Sequence, residues 1–332
     1  MVYTREEIKK EEGIEKEMNY NGGNVPVLFI SKRTLPEAWQ AAMIGLWEKG
    51  IDVPTSFDRP GDPKSKDATV LIEVKEPFAE PRIHKIFPGS IESLEHYRLE
   101  VTHGVHNHWV NRFGEEWNYT YHERLRAYDS GDGKRIDQLE NMIKIIEEKA
   151  KKGEDITNRR FQVVTWVPSV DPFIRDPPCL QRLHFRIAPD GNGSYKLNLN
   201  TDWRSRDGYK AWFMNVYAMT ELQRLVADEL SERGRISIGV GRYSDKSDSL
   251  HIYGKDFHGN GGFEGFLERA KREPIEKLAY ETDSIKEIQV EARHLLAAQL
   301  DWEKRTGDKG KTDPDMDSAT KENYPYPKEW DK

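Results

Sequence analysis

Apolar positions along the chain change period several times, and each change predicts an element. Val25-Pro26-Val27-Leu28-Phe29-Ile30 is a short apolar run of the kind a buried strand shows, with Pro26 near its start, where a missing N–H costs least. Leu35, Trp39, Met43 and Leu46-Trp47 recur at helical spacing and stop at Gly50, which predicts a helix over residues 35–49 capped by Thr34. Residues 54–67, with their Pro, Gly, Asp and Lys, read as a surface loop. Residues 68–74 read as a strand, since Thr69, Leu71 and Glu73 alternate with Val70, Ile72 and Val74. Ile91, Leu94, Tyr97 and Val101 predict a helix that ends at Gly104. The stretch 135–152 predicts an amphipathic helix with Ile136, Leu139, Met142-Ile143 and Ile146 on one face.

The middle of the chain reads as two strands around a turn. Leu183, Phe185 and Ile187 alternate with polar neighbours, as do Leu197 and Leu199 after Pro189-Asp190-Gly191-Asn192-Gly193. An apolar helical run follows from 211 to 225 and continues through Val226. Strands are expected at 236–243 and 249–253, where Gly239 and Gly241 mark a bend and do not make a dinucleotide loop. Residues 263–272 and 285–304 have helical spacing. The stretch 305–332 has little to bury and is expected to be a mobile tail, while the Glu- and Lys-rich residues 1–19 form an N-terminal extension. Residues 20–304 then make one domain of mixed α/β (α+β) class, with no internal repeat and no linker.

Composition narrows the function. Charged residues make up 33% of the 332, so the surface is heavily charged, yet nine Trp and twelve Phe can still build a core. A net charge of −7 argues against a broad nucleic-acid-binding face, while leaving room for a local basic pocket for one phosphate. One cysteine, Cys179, rules out an intrachain disulfide and gives no sign of a cysteine-based zinc site. No apolar stretch of about 18 residues and no signal-peptide pattern are seen, so a cytoplasmic location without membrane contact is expected. His103, His106 and His108 crowd into an aromatic stretch, but no paired-histidine helix motif supports a metal site, and none is expected.

Chemistry gathers between Pro177 and Asn215. Pro177-Pro178-Cys179 begins the segment, and Asp202-Trp203-Arg204-Ser205-Arg206-Asp207 follows the two strands. A thiol with arginines and an amide nearby in sequence suits a nucleophile beside an anion site; the bland alternative is a small buried hydrophobe. Taken in order, Arg159-Arg160 before Val163-Val164-Thr165-Trp166, Pro-Pro-Cys, Arg204-Ser205-Arg206-Asp207, Asn215 and His251-Ile252-Tyr253 resemble the thymidylate synthase and pyrimidine nucleotide hydroxymethylase family. The match spans about residues 135–257.

That resemblance implies a thymidylate synthase-like fold, a mixed sheet with flanking helices and one sheet face used for homodimerisation. It implies Cys179 as the nucleophile that adds to C6 of dUMP, with 5,10-methylenetetrahydrofolate as the one-carbon donor. Arg204 would lower the thiol pKa and touch phosphate, and Ser205 would contact phosphate as well. Arg159 and Arg160 would reach the partner subunit's phosphate. Asp207 would hold the pterin, Trp109 belongs to its aromatic wall, and His251 with Tyr253 would bind the sugar hydroxyl. Asn215 suits uracil, because a carboxamide offers a donor to O4 and an acceptor to N3–H. Tyr121 falls where the family has an active-site tyrosine. Arg59, in a Gly-containing loop, matches a phosphate arginine, with Arg82 a weaker candidate. The acid–base carboxylate falls on the helix at 91–104, as Glu95 or Glu100, with Glu37 outside the family order.

Several positions depart from the family. Leu180 follows the cysteine where histidine is common, Trp203 stands where glutamine is usual, and Ala211 replaces a glycine. The sequence closes on Trp330-Asp331-Lys332 instead of a small apolar tail. These point to a divergent, archaeal-type member. They leave open a methyltransferase, a hydroxymethylase of dUMP, dCMP or CMP, and a nucleotide-binding relative that lost turnover.

Overall fold

A computed structural model of the chain describes residues 23–115, 117–130, 133–259, 261–314 and 324–332. The extension at 1–19 and the tail residues 315–323 lie outside the described residues. Strand β1 (Val27–Lys32) is followed by helix α1 (Leu35–Lys49). A capping box fixes where α1 starts: Glu37 N–H donates to Thr34 Oγ1, and Thr34 N–H donates to Glu37 Oε2 at 2.9 Å. Glu37 is therefore committed to helix initiation. Strands β2 (Ile51–Val53) and β3 (Ser65–Val74) come next, so β3 begins three residues earlier than its alternation suggests, where it pairs with β2.

Helix α2 (Ile91–His103) ends on Gly104, whose φ of 65° is the left-handed conformation that glycine adopts without a Cβ clash. Helices α3 (Tyr121–Arg126) and α4 (Gln138–Lys151) follow. Residues expected to open α4 do otherwise. Arg135 and Ile136 pair with Tyr128 and Asp129 as a short ribbon, and Asp137 caps the helix by accepting from Glu140 N–H at 2.8 Å. Strand β4 (Gln162–Val164) starts after the two arginines, not on them.

Strands β5 (Leu180–Gly191) and β6 (Ser194–Trp203) form a long hairpin. Asn192 and Gly193 both have positive φ, 50° and 77°, which is the primed turn that matches strand twist. After the short β7 (Arg206–Asp207), helix α5 (Trp212–Gly234) runs eight residues past Val226 and is buried on most sides in its first half. One strand, β8 (Ile238–Ile252), replaces the two expected at 236–253. Its bend lies where the glycines are: the register against β6 shifts between Val240 and Tyr243. A Cβ on Gly241 would sit 2.6 Å from Asn198 Oδ1, the atom that accepts from Arg242 N–H, so only glycine lets β6 and β8 approach there. Helices α6 (Phe263–Arg272) and α7 (Lys286–Thr306) complete the order.

The strands join in one mixed eight-stranded sheet in the order β1-β3-β8-β6-β5-β4, with β2 beside β3 and β7 beside β8. Inward residues Val70, Ile72, Phe185, Leu197, Leu199 and Tyr243 are fully buried against Trp39 and Met43 of α1 and the buried face of α5. Val27, Phe29 and Leu71 lie 70%, 65% and 40% exposed on adjacent strands, since alternation turns them to the opposite face. This is the expected mixed sheet with flanking helices. No described helix is long and apolar enough to cross a membrane.

The end of the chain is not wholly free of burial. Trp330 is 6% exposed and packs against Leu99 of α2 and Leu296 of α7. One indole supplies the apolar area that the polar tail otherwise lacks.

Candidate active site

Cys179 sits at the mouth of β5, on the wall of a cavity of about 480 Å³, a size that suits a small-molecule ligand. The hairpin returns Arg204 to it. Arg204 N–H donates to the Cys179 carbonyl at 2.9 Å, and its guanidinium donates to the carbonyls of Pro178 at 3.0 Å and Pro177 at 2.6 Å. The Pro-Pro segment has no N–H to donate, and its carbonyls accept from this arginine, that of Pro178 also from Gln181 Nε2 at 2.9 Å. Burial pushes the Cys179 thiol above its ordinary value, and Arg204 and then Arg206 pull against it. The expected net lowering is thus reversed in the unliganded protein: desolvation of a thiolate outweighs two cations when one of them is half engaged with carbonyls.

Ser205, Asp207 and Asn215 reach the same cavity from β7, its approach and the first turns of α5. Asn215 Nδ2 donates to the Tyr97 hydroxyl at 2.7 Å. Asp207 Oδ1 accepts from the N–H groups of Tyr209 at 3.0 Å and Lys210 at 2.8 Å, yet burial still raises its carboxyl to about 6. His251 and Tyr253 follow from the end of β8, their rings 4.5 Å apart and edge-on. Burial lowers the His251 imidazole to about 4, so it is neutral at pH 7, and its Nε2 has no partner among the described residues. A buried polar atom without a partner is costly, and a ligand hydroxyl would satisfy it. From the other side come Tyr121, whose hydroxyl accepts from Leu180 N–H at 3.3 Å, and Glu100, whose carboxylate lies 3.0 Å from His106 Nδ1.

Eight sequence candidates therefore share one cavity: Cys179, Tyr121, Glu100, Ser205, Asp207, Asn215, His251 and Tyr253. Others do not. Glu95 is 1% exposed on the far side of α2, where Arg98 and Arg293 hold it. Arg82 is buried in an ion pair with Glu221 at 2.5 Å. Arg159 and Arg160 are exposed on the loop before β4 and do not line the cavity of their own chain. Arg59 is exposed as well, although Phe57 of its loop meets the Tyr253 ring at 5.6 Å, close to the cavity rim. Trp109 lines a neighbouring cavity of about 490 Å³ that shares Trp117 with the first, and its indole donates to Glu303. Among the described residues, no group of three or more His, Cys, Asp or Glu is placed to hold a metal ion.

The cavity also holds residues that the sequence did not single out. Asp176 and Asn118 line it, and so does Arg206. The signal for Arg206 was local: in Arg-Ser-Arg-Asp the second arginine falls on the inward side of a strand beginning at that residue.

A model of the family described as thymidylate synthase matches residues 90–298, more than half of the chain. The chain belongs to the thymidylate synthase family. A protein named "Putative thymidylate synthase" from Methanococcoides burtonii is 27% identical over 228 residues, which is 69% of this chain and 90% of that protein. One of the same name from Methanothermobacter thermautotrophicus is 31% identical over 166 residues, 50% of this chain and 61% of the relative. The fold is similar to that of thymidylate synthase A from Bacillus subtilis, with a TM-score of 0.52 at 16% identity over 72% of this chain and 85% of that one. Thymidylate synthases are one-carbon transferases that act on a pyrimidine nucleotide with methylenetetrahydrofolate, and membership places this chain in that enzyme class.

Proposed function

We propose that the chain converts dUMP to dTMP, with Cys179 as nucleophile and 5,10-methylenetetrahydrofolate as donor. One observation carries the proposal: a single cysteine opens onto the same cavity as the Asn215 carboxamide, a buried imidazole whose Nε2 has no partner among the described residues, and Ser205 of the turn that carries Arg204. The thiolate would add to C6 of the pyrimidine, and C5 would then take the one-carbon unit. Glu100, on the cavity wall and hydrogen-bonded to His106, would relay the proton that leaves C5. Asn215, oriented by Tyr97, would read the uracil edge. His251 Nε2 and the Tyr253 hydroxyl suit the sugar, Arg204 and Ser205 the phosphate, and Asp207 with the aromatic wall at Trp109 and Trp117 the pterin.

The protein acts in this reading as a homodimer in the cytoplasm. Val27, Phe29 and Leu71 form an exposed apolar strip on the open sheet face, a feature that a second copy would cover. Arg159 and Arg160, outside their own cavity, are available to the partner's phosphate, and Arg59 could close from its rim loop.

Incubation with dUMP, dCMP and CMP plus methylenetetrahydrofolate, with products identified by mass, tests the reaction. The expected product is dTMP. A 5-hydroxymethyl nucleotide would transfer the assignment to the hydroxymethylases. Cys179→Ser should abolish turnover and the covalent adduct with 5-fluoro-dUMP while nucleotide affinity stays within about tenfold. Full activity in that variant would remove Cys179 from the chemistry.

A further inference from the structure

We propose that Arg206 is a second cation of the cysteine site, a positioning residue that favours ionised Cys179 from beneath the cavity wall. This rests on the reading of Cys179 as nucleophile. Arg206 is 2% exposed. Its Nη2 lies 2.7 Å from Asp245 Oδ2, its Nε and Nη2 donate to Ser247 Oγ, and its plane covers the Trp203 ring at 4.0 Å. Asp245 is itself fully buried. Burying such a pair is expensive, and apolar residues of similar volume would commonly serve stability as well or better. The geometry shows what the pair adds. Arg206 lines the cavity and Asp245 does not, so the positive end faces the site and the negative end lies behind it. Arg206 Nη1 has no partner among the described residues.

Charged and titratable groups around Cys179 are Arg204, Asp176, Arg206, Tyr119, Tyr121 and Tyr253. Arg206 acts favourably on the thiolate, and Asp245 behind it is the anion that compensates the cation. The two arginines differ in kind. Arg204 is half-buried and suits a phosphate, an anion that would offset its charge when nucleotide binds. Arg206 is almost fully buried, and its Nε and Nη2 are held by Asp245 and Ser247 from behind the cavity wall.

Because Cys179 is the only cysteine, alkylation by iodoacetamide reports it alone: the thiolate sulfur displaces iodide and forms a thioether. The rate is measured against pH in the nucleotide-free protein. Arg206→Met with Asp245→Asn removes both charges and should move the midpoint up by about one pH unit, slowing alkylation at pH 7 roughly tenfold. Asp245→Asn alone leaves the cation uncompensated and should move the midpoint down. Both variants lose the same ion pair, so a merely structural role would move them in one direction. Shifts of the same sign, or a double variant that superimposes on wild type, overturn the proposal. If the double variant does not fold, absence of a downward shift in Asp245→Asn overturns it alone. Wild-type adduct formation with 5-fluoro-dUMP separates the two readings: an adduct without these shifts sinks only Arg206, and shifts without an adduct sink only the nucleophile assignment.

Discussion

Helix α2 has two faces, and each carries a glutamate. On one face Glu95 is 1% exposed, receives both forks of Arg98 at 2.7 and 2.9 Å, and takes a further contact from Arg293 at 2.7 Å. Arg98 also donates to the carbonyls of Trp330 and Lys332, and Arg293 meets Asp331, so the end of the chain closes this face. On the other face Glu100 stands beside Tyr97 at the cavity, half-buried, with an imidazole as neighbour. The difference teaches what a carboxylate needs in order to move protons. One held by two guanidiniums on the side away from the cavity has no route to a ligand there. One on a cavity wall is within reach of whatever binds there. Glu95 is tied into an ion-pair network with the end of the chain, and Glu100 faces the cavity.

The comparison breaks most decisively at Glu100. Glu100→Gln should reduce turnover by about 10²–10⁴-fold with little change in nucleotide affinity, read by steady-state kinetics beside equilibrium binding. Unimpaired turnover would mean that the cavity-facing carboxylate is not the relay. Glu95→Gln should do the reverse. Leaving Arg98 and Arg293 without their shared anion should cost about 3 kcal/mol in denaturant unfolding, while turnover at a permissive temperature stays near wild type. Equal stability would show that the tail-side network contributes nothing measurable.

Two further variants sharpen the cavity side. Asn215→Asp exchanges the group that meets Tyr97 and should move selectivity from dUMP toward dCMP by about 1–3 kcal/mol, measured as a ratio of kcat/KM values. An unchanged ratio would take base selection away from Asn215. The smallest effect concerns Asp207, whose Oδ1 accepts from the backbone N–H groups of Tyr209 and Lys210 where Glu95 is held by guanidiniums. The Asp207 carboxyl, raised by burial to about 6 from an ordinary 3.8, holds its proton more tightly folded than unfolded. Its stabilising contribution is therefore complete below pH 4 and is lost as pH rises through about 6. Asp207→Asn should flatten that decline in thermal melts between pH 4 and 7. Parallel curves for the two proteins would place the titration elsewhere.

Local signals explain why much of this was legible in the chain. Thr34 and Glu37 close a capping box within four residues, and Asn192-Gly193 supplies the two positive φ values of a tight turn. Cys179, Arg204, Asp207 and Asn215 lie on one hairpin and the helix after it, so their meeting follows from β5 and β6 pairing in register. His251 and Tyr253 join them because β8 pairs with β7 directly, placing His251 opposite Asp207. By contrast, periodicity put Glu95 and Glu100 equally at the edge of the apolar face of α2. No local rule chooses between them.

Most of the long elements, the mixed class and the order of the motifs were legible in the sequence, because caps, turn residues and side-chain period act within a few positions. The sequence also determined that any thiol chemistry must run through Cys179. Tertiary structure decided which charges meet. Arg98 and Arg293 come from helices almost two hundred residues apart, and together they remove Glu95 from the cavity. Trp330 finds its burial only between Leu99 and Leu296. Arg206 turns from one more arginine in a polar cluster into a buried cation only when β8 brings Asp245 and Ser247 behind it. Coulomb interaction and desolvation depend on distance and burial in three dimensions, and neither is carried by the spacing of residues along the chain.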